Sequence, residues 1–319
     1  MNYKLVSIII PTYNRAHLII ETLFSIQNQS YPYWECIIID DGSDDNSFSI
    51  VSEFMKNDTR FIYLQRPLNR IKGASSCRNY GFEISKGDFI QFFDSDDIMH
   101  QDHLKYKVEN ISDFDFIVCK MKPFKIKFDK SYFLVDDIED LNHEDNVFES
   151  FVIGKFPMMM VAPMWNKKIL KKEMPIREDL SILEDHELYA RILFNYNHYF
   201  IVNKTLIYVR IDMPSLTNLF YKSISEGLDS YFEAKTTVLR LSNTNIIKLA
   251  ILKMTLSFFR MGLAQKQYGG AKKCLEFIHD SSLCYSYKLK CSVLRITFFY
   301  YIFKIIGKGD TMFKPLLKL

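Results

Sequence analysis

The chain has 319 residues, of which 48% are hydrophobic and 15% aromatic, so it can bury a core as one large domain or as one domain with an extension. The net charge of +3 is unevenly divided: residues 245–319 carry 13 lysines and arginines against three acidic residues, a net charge of +10, and residues 1–244 carry −7. This asymmetry indicates separate tasks for an acidic body and a basic C-terminal segment. The seven histidines show no zinc-ligand spacing, which excludes the common zinc-binding motifs.

Six cysteines are scattered along the chain without a C-x-x-C pair, and Cys36 and Cys119 lie in apolar runs. This usage is typical of a reduced protein without structural disulfides. The first four residues lead directly into a predicted strand, without the apolar segment and cleavage site of a secretory signal. We therefore expect a cytoplasmic protein.

The first 120 residues or so alternate predicted strands with amphipathic helices, the pattern of a parallel α/β sheet. The first helix shows the clearest spacing, with Leu18, Ile19, Leu23 and Ile26 on one face. The predicted strands cover residues 6–10, 35–39, 61–64, 89–93 and 114–118, and the predicted helices cover residues 17–29, 47–55 and 73–85.

The pattern breaks at residues 120–156, where charged and aromatic residues mix without a clear period, and we expect an irregular β-rich insertion there. Beyond it we predict a helix at 184–194 and short strands at 199–202 and 206–209, and after residue 219 the spacing is helical. These patterns predict a domain at residues 1–218 and a helical, basic C-terminal extension at residues 219–319.

Carboxylates follow two predicted strands at the point where each strand ends. Asp40 and Asp41 follow the second strand, and Asp94, Asp96 and Asp97 follow the fourth. Ligands of open α/β sheets bind at the carboxyl ends of strands, and crowded carboxylates favour a divalent cation. A single acidic turn would more simply cap the next helix, as we expect for Asp97. Because the first strand also ends in polar residues, the three strand ends together indicate one crevice that binds a metal and a phosphate.

Five motifs occur in order: VSIIIPTYN from Val6, DDGS from Asp40, RNYG from Arg78, DSDD from Asp94 and ED at Glu184. Their combination, over about two thirds of the chain, resembles the family 2 glycosyltransferases, which have the GT-A fold. The resemblance implies a Rossmann-like mixed, mainly parallel sheet flanked by helices. It also implies transfer of a sugar from a nucleoside diphosphate to an acceptor hydroxyl, with inversion of the anomeric carbon.

The resemblance implies that the loop of Pro11, Thr12 and Tyr13 holds the base and ribose of the donor, with Tyr13 stacking on the base. A strand that simply ends at a proline and a turn is the alternative. Asp41 would accept a hydrogen bond from the base. Because a carboxylate accepts hydrogen bonds but does not donate them, Asp41 would favour a base with an imide N–H, which is uracil or thymine.

The D-x-D motif is Asp94-Ser95-Asp96, and the resemblance assigns Asp96 to a Mn²⁺ or Mg²⁺ that bridges the donor diphosphate. Alternate residues can serve one ligand, so Asp94 would contact the ribose or the metal's water. The ion offsets charge on the departing nucleoside diphosphate as a Lewis acid. In the segment that begins at Gly73, Arg78 would pair with the same diphosphate, with a surface ion pair as the alternative.

Inverting transfer needs a carboxylate that takes the proton of the attacking hydroxyl, and the resemblance assigns this role to Asp185. Its place in a first helical turn favours the ionised form. Glu184 is assigned to orienting the site or the acceptor, although Ser181 and Glu184 also fit a capping box. His186 is predicted to lie on the helix surface.

Two further features concern the acceptor and the diphosphate. Sugars stack on aromatic rings, and Trp165 is therefore an acceptor-site candidate, with core packing as the alternative. Residues 208–217 resemble a late motif that closes over the diphosphate, with Asp212 where many relatives have histidine. Whether a third residue contacts the metal is therefore left open.

Residues 291–306 are nearly all apolar but include Arg295 and Lys304. As a helix they would reach about 24 Å, short of the roughly 30 Å hydrocarbon core of a bilayer. With the neighbouring lysines they suit a helix lying on an anionic membrane surface, while packing on the domain or a dimer contact are alternatives. Bulky aliphatic residues between the basic ones argue against a nucleic-acid partner.

We therefore expect a metal-dependent hexosyl- or N-acetylhexosaminyltransferase, with a UDP-sugar favoured as donor. The expected acceptor is an oligosaccharide or lipid-linked glycan of cell-surface polysaccharide synthesis, at the inner face of the cell membrane. The alternatives are a nucleotidyltransferase, although the loop after the first strand lacks glycine, and a non-catalytic nucleotide- or sugar-binding protein of the same fold. The absence of G-x-G-x-x-G argues against a dinucleotide-dependent oxidoreductase. The sugar, the linkage and the oligomeric state stay open.

Overall fold

A computed structural model describes residues 3–125, 128–211 and 220–306, and the chain divides into two compact units. Unit 1 comprises Met1–Val147, Phe156–Glu178 and Ile192–Met213. Unit 2 comprises Phe148–Lys155, Asp179–Arg191 and Pro214–Leu319. The division differs from a single boundary at residue 218, because two inner segments group with the C-terminal helices. Composition and periodicity are properties of the local chain, so they do not report which distant segments pack together.

The strands all lie in unit 1. In chain order they are β1 (Val6–Thr12), β2 (Trp34–Asp40), β3 (Phe61–Gln65), β4 (Phe89–Phe92), β5 (Ile98–Met99), β6 (Phe116–Phe124), β7 (Met164–Asn166) and β8 (Tyr199–Arg210). They form one sheet with the spatial order β3-β2-β1-β4-β7-β6-β8-β5. The first four strands in that order are parallel, whereas β7 runs antiparallel to both β4 and β6. The prediction of a mixed, mainly parallel sheet is confirmed.

The helices of the described residues flank this sheet or form unit 2. In chain order they are α1 (Ile19–Gln27), α2 (Ser47–Met55), α3 (Ala74–Ile84), α4 (His103–Asn110), α5 (Val147–Val152), α6 (Lys167–Glu173), α7 (Glu184–Asn195), α8 (Leu228–Leu241), α9 (Asn245–Ala264), α10 (Tyr268–Asp280) and α11 (Tyr287–Ile306). Short 3₁₀ helices occupy Lys130–Leu134 and Ile224–Glu226.

The register of β1 explains why three strand ends meet. Thr12 of β1 lies opposite Asp40 of β2, and Ile9 lies opposite Phe92 of β4, so the three parallel strands end at one edge. Their side chains are almost all buried, as the apolar runs predict. Helix α3 packs closely on β1 at Gly81, where an added Cβ would lie 2.5 Å from a methyl group of Ile9.

Several elements differ from the sequence-based prediction. The two strands predicted at 199–202 and 206–209 are one continuous strand, β8. Its pairing with β6 shifts register at Cys119 and Lys120, and this irregularity lets the strand continue through the exposed residues 203 and 204. Strand β6 continues to Phe124, into the region predicted as an irregular β-rich insertion. The rest of that region, where described, holds a 3₁₀ helix and all of α5. Elements β5, β7, α4, α5 and α6 were not predicted, because each is short.

Unit 2 is helical in its described part, which confirms the predicted helical C-terminal region. Tyr231 of α8 lies at its centre, with its hydroxyl 3.1 Å from Thr255 Oγ1 and its ring against Phe258. Within the described residues, no helix is both long and apolar enough to cross a bilayer. All six cysteines are free, and Cys36 and Cys119 are buried as predicted.

Candidate active site

The loops after β1 and β2 are tied to each other at the carboxyl edge of the sheet. The backbone N–H of Asp41 donates to the carbonyl of Thr12 at 2.9 Å, and that of Asn14 donates to Ser43 Oγ at 2.9 Å. Asp40 accepts hydrogen bonds from the backbone and hydroxyl of Ser43, so the first aspartate of the pair shapes the turn. The second aspartate, Asp41, has a different partner.

Asp41 forms a buried ion pair with Arg66, whose Nε lies 2.5 Å from Asp41 Oδ1. Both side chains are about one-tenth exposed, at 9% and 10%. Arg66 Nη1 also donates to the carbonyl of Pro67 at 3.1 Å. Arg66 was missed from the sequence, because its position after β3 becomes informative only once β3 is known to lie beside β2. The ion pair fixes the orientation of the Asp41 side chain at this edge of the sheet.

Tyr13, predicted to stack on the base, is exposed at this edge, and Lys72 Nζ lies 3.9 Å from the centroid of its ring. This cation–π contact covers one face of the ring. The next residue, Gly73, has a φ of +146°, a conformation that favours glycine, and it precedes α3. Glycine therefore allows the turn that brings Lys72 over Tyr13.

The D-x-D motif lies just beyond β4, and both of its aspartates contact arginines. Arg78 Nη2 lies 2.8 Å from Asp94 Oδ1, and Arg15 Nη2 lies 3.5 Å from Asp96 Oδ2. Arg78 is buried, so the alternative of a surface ion pair does not apply. Burial and the nearby charge of Asp94 raise the pKa of Asp96, which means that like charges are crowded at this turn.

Asp97 does not cap the next segment, contrary to prediction. Its side chain is buried and accepts a hydrogen bond from the backbone N–H of Arg210 at 3.0 Å. Arg210 also donates through Nε to the carbonyl of Asp96 at 3.1 Å and pairs with Glu21 at 2.6 Å. Burial, followed by the charges of Asp94 and Asp96, raises the pKa of Asp97 well above its usual value. Strand β8 thus holds the D-x-D turn in place. The predicted contacts of residues 212–217 lie outside the described residues.

The residues present fit a divalent cation. Where the structure describes the chain, no group of three or more His, Cys, Asp or Glu side chains could hold a metal by itself. Magnesium sites in phosphate-transferring proteins commonly use one or two carboxylates and complete the shell with substrate phosphates and water. Asp94 and Asp96 supply two such carboxylates, and a cation would relieve the repulsion that raises the pKa of Asp96.

The segment that carries Asp185 belongs to unit 2. Helix α7 begins at Glu184, so Glu184 and Asp185 lie in its first turn, as predicted. Asp185 Oδ1 accepts a hydrogen bond from the backbone N–H of His186 at 2.7 Å. Leu183, just before the helix, has a φ of +61°, an uncommon conformation for a leucine. His186 is not a surface residue as predicted, because its ring is half-buried and packs on Phe151 with centroids 4.8 Å apart.

The acceptor role suggested for Trp165 is corrected by the structure. Trp165 lies in β7, is fully buried, and packs its ring on Phe116 with centroids 4.8 Å apart. Strand β7 lies between β4 and β6, so both of its edges are paired inside the sheet. A sugar cannot stack on a ring with no exposed surface, and Trp165 is a core residue.

Comparisons with known proteins agree with this architecture. The family model described as "Glycosyl transferase family 2" matches residues 7–166, half of the chain, and the chain therefore belongs to this family. It is 27% identical to the putative glycosyltransferase EpsH of Bacillus subtilis (strain 168) over 252 residues, which cover 76% of this chain and 71% of EpsH. It is 39% identical to the putative teichuronic acid biosynthesis glycosyltransferase TuaG of the same strain, but over only 34% of this chain and 42% of TuaG.

Two solved structures share the fold. S. aureus TarS, crystallised as residues 1–349 in complex with UDP-GlcNAc, matches with a TM-score of 0.66 and 20% identity over 86% of this chain and 81% of TarS. The mannosyltransferase PcManGT from Pyrobaculum calidifontis, in complex with GDP-Man and Mn²⁺, matches with a TM-score of 0.56 and 15% identity over 99% of this chain and 86% of its own. At these identities the likeness concerns the fold, which is GT-A.

Proposed function

We propose that this glycosyltransferase moves a sugar from a nucleoside-diphosphate sugar, with a UDP-sugar favoured, to an acceptor hydroxyl with inversion of the anomeric carbon. The proposal is supported mainly by one observation: strands β1, β2 and β4 end at the same edge of the sheet. Asp41, the D-x-D turn and the arginines paired with them lie at this edge. A carboxylate that accepts a hydrogen bond from a nucleobase, next to two further aspartates and several guanidinium groups, suits a nucleotide with two phosphates. The transferred group is proposed to be hexosyl or N-acetylhexosaminyl, in line with the UDP-GlcNAc bound by TarS.

Each donor-site residue has a proposed task. Tyr13 stacks on the base through the face opposite Lys72, and Asp41 accepts the imide N–H. Asp96 and Asp94 would hold Mn²⁺ or Mg²⁺, which when bound offsets the negative charge of the diphosphate. Arg78 is buried next to Asp94 and would contact a phosphate oxygen of the same group.

The transfer itself needs one proton acceptor. The acceptor oxygen attacks the anomeric carbon while the bond from that carbon to the diphosphate oxygen breaks. The diphosphate leaves with the bonding electron pair, and the proton of the attacking hydroxyl passes to Asp185. The family resemblance supports this role, and so does the position of Asp185 in the first turn of α7, where the helix dipole favours a carboxylate. Glu184 is proposed to orient the acceptor.

Calorimetric titration with UDP, dTDP, GDP and CDP, each with Mn²⁺ and with EDTA, tests the donor site. We expect UDP to bind at least about tenfold more tightly than CDP, because cytosine lacks the imide N–H that Asp41 accepts; tenfold corresponds to about 1.4 kcal/mol. Equal affinity for UDP and CDP would contradict the role of Asp41. If none of the four nucleotides bound, the donor site as a whole would be wrong, and a degenerate binding protein would be favoured.

We propose that the acceptor is a lipid-linked or growing oligosaccharide of cell-surface polysaccharide synthesis, in line with the teichuronic acid biosynthesis attributed to TuaG. We also propose that the protein works at an anionic membrane surface. The exposed face of α11 supports this location. Its exposed apolar residues are spaced by seven, four, three and four positions, which places them on one side of the helix: Tyr287, Leu294, Phe298, Tyr301 and Ile305. The opposite side is buried in unit 2 through Leu289, Ile296, Tyr300 and Phe303.

Basic side chains flank this apolar stripe. Lys288 and Arg295 lie on one side of it by helical spacing, and Lys290 and Lys304 lie on the other, all four exposed. An aromatic and aliphatic stripe between two rows of cations fits a bilayer interface, where rings enter the headgroup region and cations pair with anionic lipids. Each such cation contributes about 1 kcal/mol near an anionic surface.

Vesicle sedimentation tests the membrane proposal. We expect binding to vesicles of phosphatidylcholine with phosphatidylglycerol, weaker binding in high salt, and little binding to phosphatidylcholine alone. The double variant Leu294→Asp, Phe298→Asp should release the protein. Met254→Asp, at an exposed position of α9, is the matched control and should have no effect. Binding that survives the double variant would reject α11, and a dimer that the same variant dissociates would make the stripe a subunit contact instead.

A further inference from the structure

Helix α8 contacts the segment that carries Asp185 at two points. The backbone N–H of Ser181 donates to Ser230 Oγ at 2.9 Å, and the two serine hydroxyls lie 3.1 Å apart. Farther along α8, Lys235 Nζ lies 2.9 Å from His186 Nε2. These contacts fall before and directly after the pair Glu184 and Asp185. The segment is therefore held from α8 on both sides of the proposed base.

Lys235 is an unusual residue for this position, because it is a lysine with only 7% of its surface exposed. The titratable groups that face it are His186 and Asp185 of α7, and Tyr231 on its own helix, with Nζ 5.8 Å from that ring. Burial lowers the pKa of Lys235 to about 7, and the charge of Asp185 opposes that shift. Burial, and then the charge of Lys235, lower the pKa of His186 well below its usual value. A neutral imidazole thus accepts a hydrogen bond from an ammonium group near Asp185.

The strained backbone at Leu183 points to the same segment. A leucine with φ of +61° persists only where the surrounding contacts hold it, and such residues concentrate at functional sites. Ser230 and Lys235 supply contacts of that kind. Burying an ammonium group is costly, and an apolar residue of similar volume often gives equal or higher stability. A purely structural role gives no reason for a lysine here.

We infer that Lys235 is a positioning residue for Asp185: its ammonium group, held by His186, keeps the carboxylate ionised and oriented for proton transfer. The inference rests on the proposed function, in which Asp185 is the base. It makes α8, and with it the C-terminal region, part of the catalytic apparatus instead of an appended segment.

The test measures UDP release with Mn²⁺ from UDP-glucose, UDP-galactose and their N-acetyl counterparts, with water as acceptor, between pH 6 and 9. We expect wild-type kcat to fall as pH rises through about 7, where Lys235 loses its proton. Lys235→Gln keeps a donor for His186 but no charge. It should lower kcat about tenfold or more at pH 6.5, leave the affinity for UDP unchanged, and remove the alkaline fall.

Two further variants complete the design. Lys235→Arg keeps a charge that does not titrate below pH 12, so it should restore part of kcat and move the alkaline fall to higher pH. Lys273→Gln, an exposed lysine of α10 paired with Asp229, is the control and should behave like wild type. The inference is overturned if Lys235→Gln has wild-type kcat across the range, or if wild-type kcat shows no fall above pH 7.

Thermal unfolding separates this role from a structural one. In the unfolded chain Lys235 titrates near its ordinary value of 10.5, so between about pH 7 and 10.5 the unfolded state binds more protons and stability rises with pH. Lys235→Gln should remove that rise and leave Tm near pH 7 equal to or above the wild-type value. A lower Tm with a wild-type pH profile would indicate a structural lysine. If Asp185→Asn retained turnover, the assignment of Asp185 as the base would be wrong. If Asp185→Asn lost turnover and Lys235→Gln retained it, only the inference about Lys235 would fail.

Discussion

Replacing Asp185 by asparagine is expected to reduce UDP release about 10²- to 10⁴-fold, the usual contribution of a general base. Asparagine has nearly the same shape, and its amide oxygen still accepts the backbone hydrogen bond from His186, so the first turn of α7 should be preserved. The amide cannot take a proton from the attacking hydroxyl. The affinity for UDP should stay within about twofold, because Asp185 has no proposed contact with the nucleotide.

Asp229→Asn is the matched control for this experiment. Asp229 also lies in the first turn of a helix, α8, but it is exposed and pairs with Lys273. Its replacement should leave turnover unchanged. Glu184→Gln should give an intermediate loss if Glu184 orients the acceptor. Turnover above about a tenth of the wild-type rate in Asp185→Asn would show that another group takes the proton, and a binding protein without catalysis would show no UDP release in any variant.

Replacing Asp96 by alanine is expected to weaken Mn²⁺-dependent binding of UDP at least about tenfold, or about 1.4 kcal/mol. The variant removes one of the two carboxylates that would hold the cation and leaves Arg15 at the D-x-D turn. In EDTA, where the cation contributes nothing, the variant and the wild type should bind UDP with similar affinity. Titration calorimetry with Mn²⁺ and with EDTA measures both quantities.

Asp44→Ala serves as the control, because Asp44 is an exposed carboxylate in the loop after β2 at the same edge of the sheet. Its loss changes the charge of the edge by the same amount without removing a proposed metal ligand. If Asp44→Ala weakened binding as much as Asp96→Ala, the effect would be one of general charge. If Asp96→Ala kept its Mn²⁺ dependence, the ion would be held by other groups.

Strong local patterns allowed the donor side of the fold to be predicted from the sequence. The apolar runs of β1, β2 and β4 and the acids that follow them indicated parallel strands ending at one edge, and the register of β1 with both neighbours confirms this arrangement. Arg66 was missed because nothing local marks an arginine after a short strand as the partner of Asp41. The ion pair exists only because β3 lies beside β2.

Other errors have the same origin. Trp165, Asp97 and His186 were assigned to an acceptor site, a helix cap and a surface, and all three lie in contacts between segments far apart in the chain. Trp165 packs on Phe116, and Asp97 accepts from Arg210. The local sequence around such a residue looks the same whether its side chain faces solvent or a distant segment of the chain.

Periodicity and strand-end chemistry were enough to predict a parallel sheet, a helical C-terminal region and the edge that carries Asp41, Asp94 and Asp96, because these features depend on residues adjacent in the chain. The mixed character of the sheet was implied only by the family resemblance. Only the tertiary structure assigned the segment of Asp185 to the unit of the C-terminal helices and placed Lys235 against His186. Lys235 and His186 lie 49 positions apart in sequence, and no local pattern carries the information that they are in contact.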